Sequence, residues 1–107
     1  MIIGKNSPYF DKRRAKRGAF IGSITSVIEE CYVPYTRLKI RYTVSSKSTC
    51  EIVFENVRTK VKRKRKLWAD GKEHYVSMIL PEKGMYLIYL SNPKRDYVEY
   101  EIKIFSG

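Results

Sequence analysis

Residues 37–44, RLKIRYTV, alternate without a break. Leu38, Ile40, Tyr42 and Val44 are apolar or aromatic, and Arg37, Lys39, Arg41 and Thr43 are polar. A period of two is the period of a β-strand with one face on a core and the other in solvent. The pattern recurs along the chain. After a polar turn at SSKS (45–48), TCEIVFENV sets Cys50, Ile52 and Phe54 against Glu51, Val53 and Glu55. Near the end, YVEYEIKIF sets Val98, Tyr100, Ile102 and Ile104 against Tyr97, Glu99, Glu101 and Lys103. MYLIYL, between turn signals at Pro81–Gly84 and Asn92–Asp96, reads as a strand buried on both sides. AFIGSITSVI, from Ala19, carries apolar groups on both faces and reads as one long first strand. Pro34 interrupts it, so CYVPY is the connection to the next strand. KLWADGKEHYVSMIL has a turn signal at Ala69-Asp70-Gly71, followed by a strand in preference to a short helix. Five or six strands with Pro/Gly turns predict an all-β domain, either a small five- to six-stranded antiparallel barrel or a β-sandwich.

A chain of 107 residues holds one such core. Its composition is ordinary for a globular protein except in charge: 22 Lys+Arg against 11 Asp+Glu, a net +11. The excess is local. Residues 1–18 contain Lys5, Lys12, Arg13, Arg14, Lys16 and Arg17 against a single acid, Asp11. Residues 58–66, RTKVKRKRK, are seven cations in nine residues with no acid. The remainder is close to neutral, whereas a surface charged only for solubility would mix the two signs. The chain divides accordingly into a basic flexible arm, residues 1–18, and a single β domain, residues 19–107. An arm of this composition orders only on a partner.

Other classes are set aside. The longest apolar stretch, 19–28, is about half of the ~20 residues a membrane helix needs. It also runs into Glu29-Glu30 with no small-residue cleavage site, so neither a membrane span nor a secretory leader is expected. A cytoplasmic or intravirion location follows. Cys31 and Cys50 are too few for a disulfide scaffold and read as reduced thiols on strands. No catalytic or phosphate-loop motif is present, and Cys31, Cys50 and His74 lack the close spacing of metal ligands. His74, in KEHY, reads as an exposed polar residue. Glu99 and Glu101 share a face that Lys103 continues, which reads as solvated. The expectation is a non-enzyme without metal or cofactor.

The charges point instead to a polyanion, with nucleic acid the expected partner. Arg37, Lys39 and Arg41 recur on one strand face about 6.6–7 Å apart, near the phosphate spacing of an extended single strand. An edge strand protected by charge would look the same. In the basic run, Lys60, Lys62, Arg63, Lys64, Arg65 and Lys66 repel one another unless an anion neutralises them, and their position between strands suggests a hairpin arm or long loop. Lys12, Arg13, Arg14, Lys16 and Arg17 of the arm belong to the same candidate interface. Trp68, just after the run, reads equally as a base-stacking residue or as a core or lid residue. Tyr42, Tyr86 and Tyr100 fall on apolar faces, whereas Tyr9, Tyr35, Tyr75 and Tyr97 lie near turns or in the arm and are freer to meet a ligand.

Residues 18–57, GAFIGSITSVIEECYVPYTRLKIRYTVSSKSTCEIVFENV, resemble the opening half of phage- and plasmid-type single-stranded-DNA-binding proteins with the OB fold. The resemblance implies a curved sheet of the first three strands, with Arg37, Lys39 and Arg41 on its binding face and RTKVKRKRK in an adjacent arm. The chain departs from that pattern in Glu51 and Glu55, in having no obvious helix between strands three and four, and in ending at IKIFSG without an acidic tail. The C-terminal half, GMYLIYLSNPKRDYVEYEIKI, resembles GOLD-like and other small β-sandwich interaction modules. Three functions follow as expectations. The first is a sequence-tolerant nucleic-acid-binding protein, preferring single-stranded DNA or RNA. The second is a structural or assembly protein of a virion or ribonucleoprotein particle, built as a homo-oligomer or larger assembly. The third is a protein-interaction module.

Overall fold

A computed structural model describes residues 16–22 and 25–106, and these form eight strands. They are β1 (Lys16–Ile21), β2 (Thr25–Val33), β3 (Arg37–Ser45), β4 (Cys50–Asn56), β5 (Lys62–Leu67), β6 (Asp70–Ile79), β7 (Gly84–Ser91) and β8 (Tyr97–Ser106). They pair antiparallel in two four-stranded sheets, one ordered β1-β8-β3-β6 and the other β2-β7-β4-β5. The molecule is a sandwich and not a closed barrel, and its strand order is that of a double-sheet jelly roll. No helix among the described residues is long and apolar enough to cross a membrane.

The alternating segments form the core as their pattern requires. Leu38, Ile40, Tyr42 and Val44 of β3 meet Cys50, Ile52 and Phe54 of β4 and Tyr86, Ile88 and Leu90 of β7, all buried. Phe54 and Tyr86 stack edge to face with centroids 6.3 Å apart. Among the described residues two polar side chains are fully buried, and both are hydrogen-bonded. Asn56 Oδ1 accepts from the N–H groups of Arg58 and Thr59, at 2.9 Å each. Asn92 Oδ1 accepts from the Lys94 N–H, and its Nδ2 donates to Ser46 Oγ.

The eight strands exceed the expected five or six for two reasons. The supposed long first strand breaks at Gly22, where the chain leaves the first sheet for the second. A Cβ on Gly22 would lie 1.8 Å from the Lys94 carbonyl oxygen, so no other residue lets these two backbones meet. β2 then runs on to Val33, which makes Cys31–Val33 strand and leaves Pro34–Thr36 as the connection. Secondly, the basic run is a strand, β5, and not a loop. The expected turn at 69–71 is also shorter than read, since β6 already begins at Asp70. An extra residue on β6 forms a bulge there opposite Thr43–Ser45, next to Gly71 with φ 78°.

Candidate nucleic-acid interface

β5 is one of the two edge strands of the second sheet and, among the described strands, pairs with β4. Its register sets Lys62, Lys64 and Lys66 opposite Glu55, Val53 and Glu51 on the outer face. Arg63 and Arg65 stand opposite Phe54 and Ile52 on the core-facing side, and Leu67 opposite Cys50 is the one buried side chain of the strand. Lysine and arginine are thus sorted by face. Inward-pointing charges on an edge block further strand pairing, while the strand's ladder to β4 holds five consecutive cations in an extended row. At its start, the turn after β4 puts Lys60 at φ 65°, a left-handed conformation that a side chain rarely takes.

Arg37, Lys39 and Arg41 lie on the outer face of the first sheet. The strand carrying them is not an edge: β3 pairs with β6 on one side and β8 on the other. Charge protection of an open edge is therefore not their role. Register brings Tyr75, already a ligand candidate from the sequence, beside these cations, and adds residues that the linear pattern did not suggest. Lys39 stands opposite Ser77 of β6 and Phe105 of β8, Arg41 opposite Tyr75 and Lys103, and Arg37 opposite Ile79. Beyond them the same face turns acidic, with Thr43 between Glu73 and Glu101, and Ser45 beside Glu99. Arg41 reaches back to Glu73 at 3.7 Å. The crevice between Arg41, Glu73, Glu101 and Lys103 has a volume of about 30 Å³, room for water and not for a substrate.

One contact joins the two patches. Arg65 Nε donates to the Ser77 carbonyl at 3.1 Å, across the open side where β5 and β6 run beside each other. Ser77 is the cross-strand neighbour of Lys39. The β3 stripe and the β5 row are therefore successive parts of one band that passes over the β6 edge. Most of the band is not neutralised internally. Among the described residues, Lys62 pairs with Glu55 at 4.0 Å and Arg58 with Glu82, but Arg37, Lys39, Lys60, Arg63, Lys64, Arg65, Lys66 and Lys103 join no ion pair.

Trp68 sits in the two-residue β5–β6 connection with 70% of its surface exposed, which removes the core reading. Its backbone N–H donates to Tyr42 Oη at 3.0 Å, so the buried tyrosine fixes the connection and leaves the indole outside. Lys16 and Arg17 lie elsewhere. They belong to β1, on the opposite edge of the first sheet, and pair with Glu29 at 3.3 Å and Glu101 at 3.2 Å. Lys12, Arg13 and Arg14 fall outside the described residues. Glu51 and Glu55 are on the other sheet from the Arg37 stripe and flank the β5 lysines instead.

Two further expectations change. His74 is in β6, half-buried, 5.7 Å from the Tyr42 ring and bonded through Nε2 to Asp70 at 2.9 Å. The backbone N–H of Lys72 and the His74 ring hold the Asp70 carboxyl below its ordinary value. Tyr35 packs against the core. Tyr100 packs against the core as its apolar face implies, half-buried over Gly18 and edge to face with Phe20. No protein-family model matches the sequence, and no curated protein is significantly similar to it.

Proposed function

We propose that the protein binds nucleic acid with little sequence preference, favouring single strands, through phosphate contacts from the band and stacking on exposed aromatic side chains. The observation that carries this reading is the junction at Arg65, which joins into one surface two cationic patches most of whose charges join no ion pair among the described residues. Lys and Arg on an extended row match a polyanion's backbone and ignore its bases, so the contact is electrostatic and releases counterions. Exposed Trp68 at the end of the row supplies a stacking surface that any base satisfies.

Salt titration of oligonucleotide binding tests the reading. Log affinity should fall steeply and linearly with log salt. Lys62→Gln/Lys64→Gln/Lys66→Gln should weaken every sequence alike and reduce the slope on a single strand by about 2, roughly 0.7 per lost phosphate contact. A flat salt response, or an unchanged slope in the triple variant, would rule this mechanism out.

A second reading is supported by a separate observation. Val27, Tyr32 and Met85 are exposed on the outer face of the second sheet, away from the band. Exposed apolar side chains gathered on one sheet face suit an interaction surface, and jelly rolls serve in capsids, lectins and cupins alike. An assembly protein would form a high-order particle, read by light scattering with and without oligonucleotide. A monomer or dimer under both conditions would exclude it.

A further inference from the structure

On the outer face of the first sheet, strands β8, β3 and β6 bring cations and aromatic groups together. Side chains along one strand recur about 6.6–7 Å apart, and neighbouring strands lie about 4.8 Å apart. Two rows cross the sheet in register, Tyr75–Arg41–Lys103 and Ser77–Lys39–Phe105. Tyr75 is 55% exposed in a molecule that buries Tyr42 and Tyr86 entirely. The Lys39 ammonium stands 5.8 Å from the centre of its ring. An aromatic face next to Lys39 and Arg41 offers a base a stacking partner and its phosphates two cations within one or two side-chain spacings.

From these positions we propose that Tyr75 is a base-stacking platform that makes the site selective for single strands. The inference rests on the nucleic-acid reading above and assigns the strand preference to one side chain. Glu73, Glu99 and Glu101 close the acidic end of the face, so a strand is confined to the half that holds Arg37, Lys39 and Tyr75. It passes across the strands, over Lys103 and Arg41 to Tyr75, and leaves over the β6 edge towards Arg65. A duplex keeps its bases stacked on one another and has none to offer Tyr75. It meets only the cations.

The test compares labelled oligothymidylate with a duplex of equal length by fluorescence anisotropy at low salt. Tyr75→Ala should weaken oligothymidylate binding about 5- to 150-fold, the range for loss of one base–aromatic stack, and leave duplex affinity unchanged. Tyr75→Phe keeps the ring and should keep the affinity. Because Tyr75 is exposed, an unchanged urea midpoint of Tyr75→Ala separates lost stacking from lost folding. Equal affinity of Tyr75→Ala and wild type for oligothymidylate overturns the platform, as does an equal loss on both ligands. If the Lys62/Lys64/Lys66 variant weakens both ligands while Tyr75→Ala weakens neither, the charge-based reading survives and the platform does not. If the wild-type chain binds neither ligand, the nucleic-acid reading itself fails.

Discussion

Cys31 and Cys50 lie in the same sheet, yet β7 runs between their strands. Cys31 stands opposite Tyr86, whose other neighbour is Asn56, six residues along β4 from Cys50. That separation is about 20 Å along the strand direction alone, far beyond what a disulfide spans. Both thiols are free and buried. Burial, with the Glu29 carboxylate beside it, pushes the Cys31 thiol up to about 12, and burial also raises Cys50. The folded state therefore holds its thiol protons at a pH where the unfolded chain has begun to release them. This contribution to stability is intact below about pH 9 and is lost as pH rises from there to about 12. Iodoacetamide at mildly alkaline pH should leave native Cys31 and Cys50 unmodified and alkylate both in denaturant, as read by mass spectrometry. Rapid labelling of the native protein would show that these thiols are not shielded. Cys50, at period two with Ile52 and Phe54, was legible in the sequence as a core position, whereas the burial of Cys31 was not, because CYVPY reads as a connection and proves to be the end of β2. Nor was the half-burial of His74, because it depends on Tyr42 from another strand.

Strands announce themselves when their two faces differ in polarity, as in β3, β4 and β8, or when an unbroken apolar run stands between turn signals, as in β7. β5 does not, because each of its first five residues is charged and a hydropathy period cannot form. A fainter period is present all the same: Lys62, Lys64 and Lys66 alternate with Arg63, Arg65 and the buried Leu67. Arginine suits the core-facing side, where a guanidinium reaches the Ser77 carbonyl. The break between β1 and β2 was hidden for the opposite reason, since apolar residues on both faces give no sign of which sheet they enter. The inward arginines carry a prediction for the element. Arg63→Val with Arg65→Val leaves a β-prone edge with no charge on its inner side, so light scattering should show faster aggregation than wild type at equal concentration. No change in aggregation would mean that the outer lysines alone protect this edge.

At the scale of the whole molecule the +11 charge is concentrated and not spread. The cations of β5 repel one another in the folded state more than in an expanded chain, so folding works against them. Raising salt from low to physiological concentration should therefore raise Tm. Relief of about 1 kcal/mol corresponds to about 4–8 °C in a domain of this size, measured by thermal circular dichroism. A Tm that stays level or falls would show that the band is already balanced by nearby carboxylates. Sheet membership was the least legible property, because every pairing except β4–β5 joins segments distant in sequence. The stripe on β3 was recognisable from its residues, but its neighbours Tyr75, Phe105 and Lys103 became visible only through the register with β6 and β8. The position of β8 has a consequence of its own. It is the last of the eight strands to leave the ribosome, yet it is the one that lies between β1 and β3. Until it emerges, β1 has no partner and one side of β3 is unpaired, so the nascent chain carries open strand edges beside a finished β4–β5 hairpin. Completion of the first sheet thus waits on the last of these strands, and the basic hairpin is available to a polyanion before the sheet that flanks it exists.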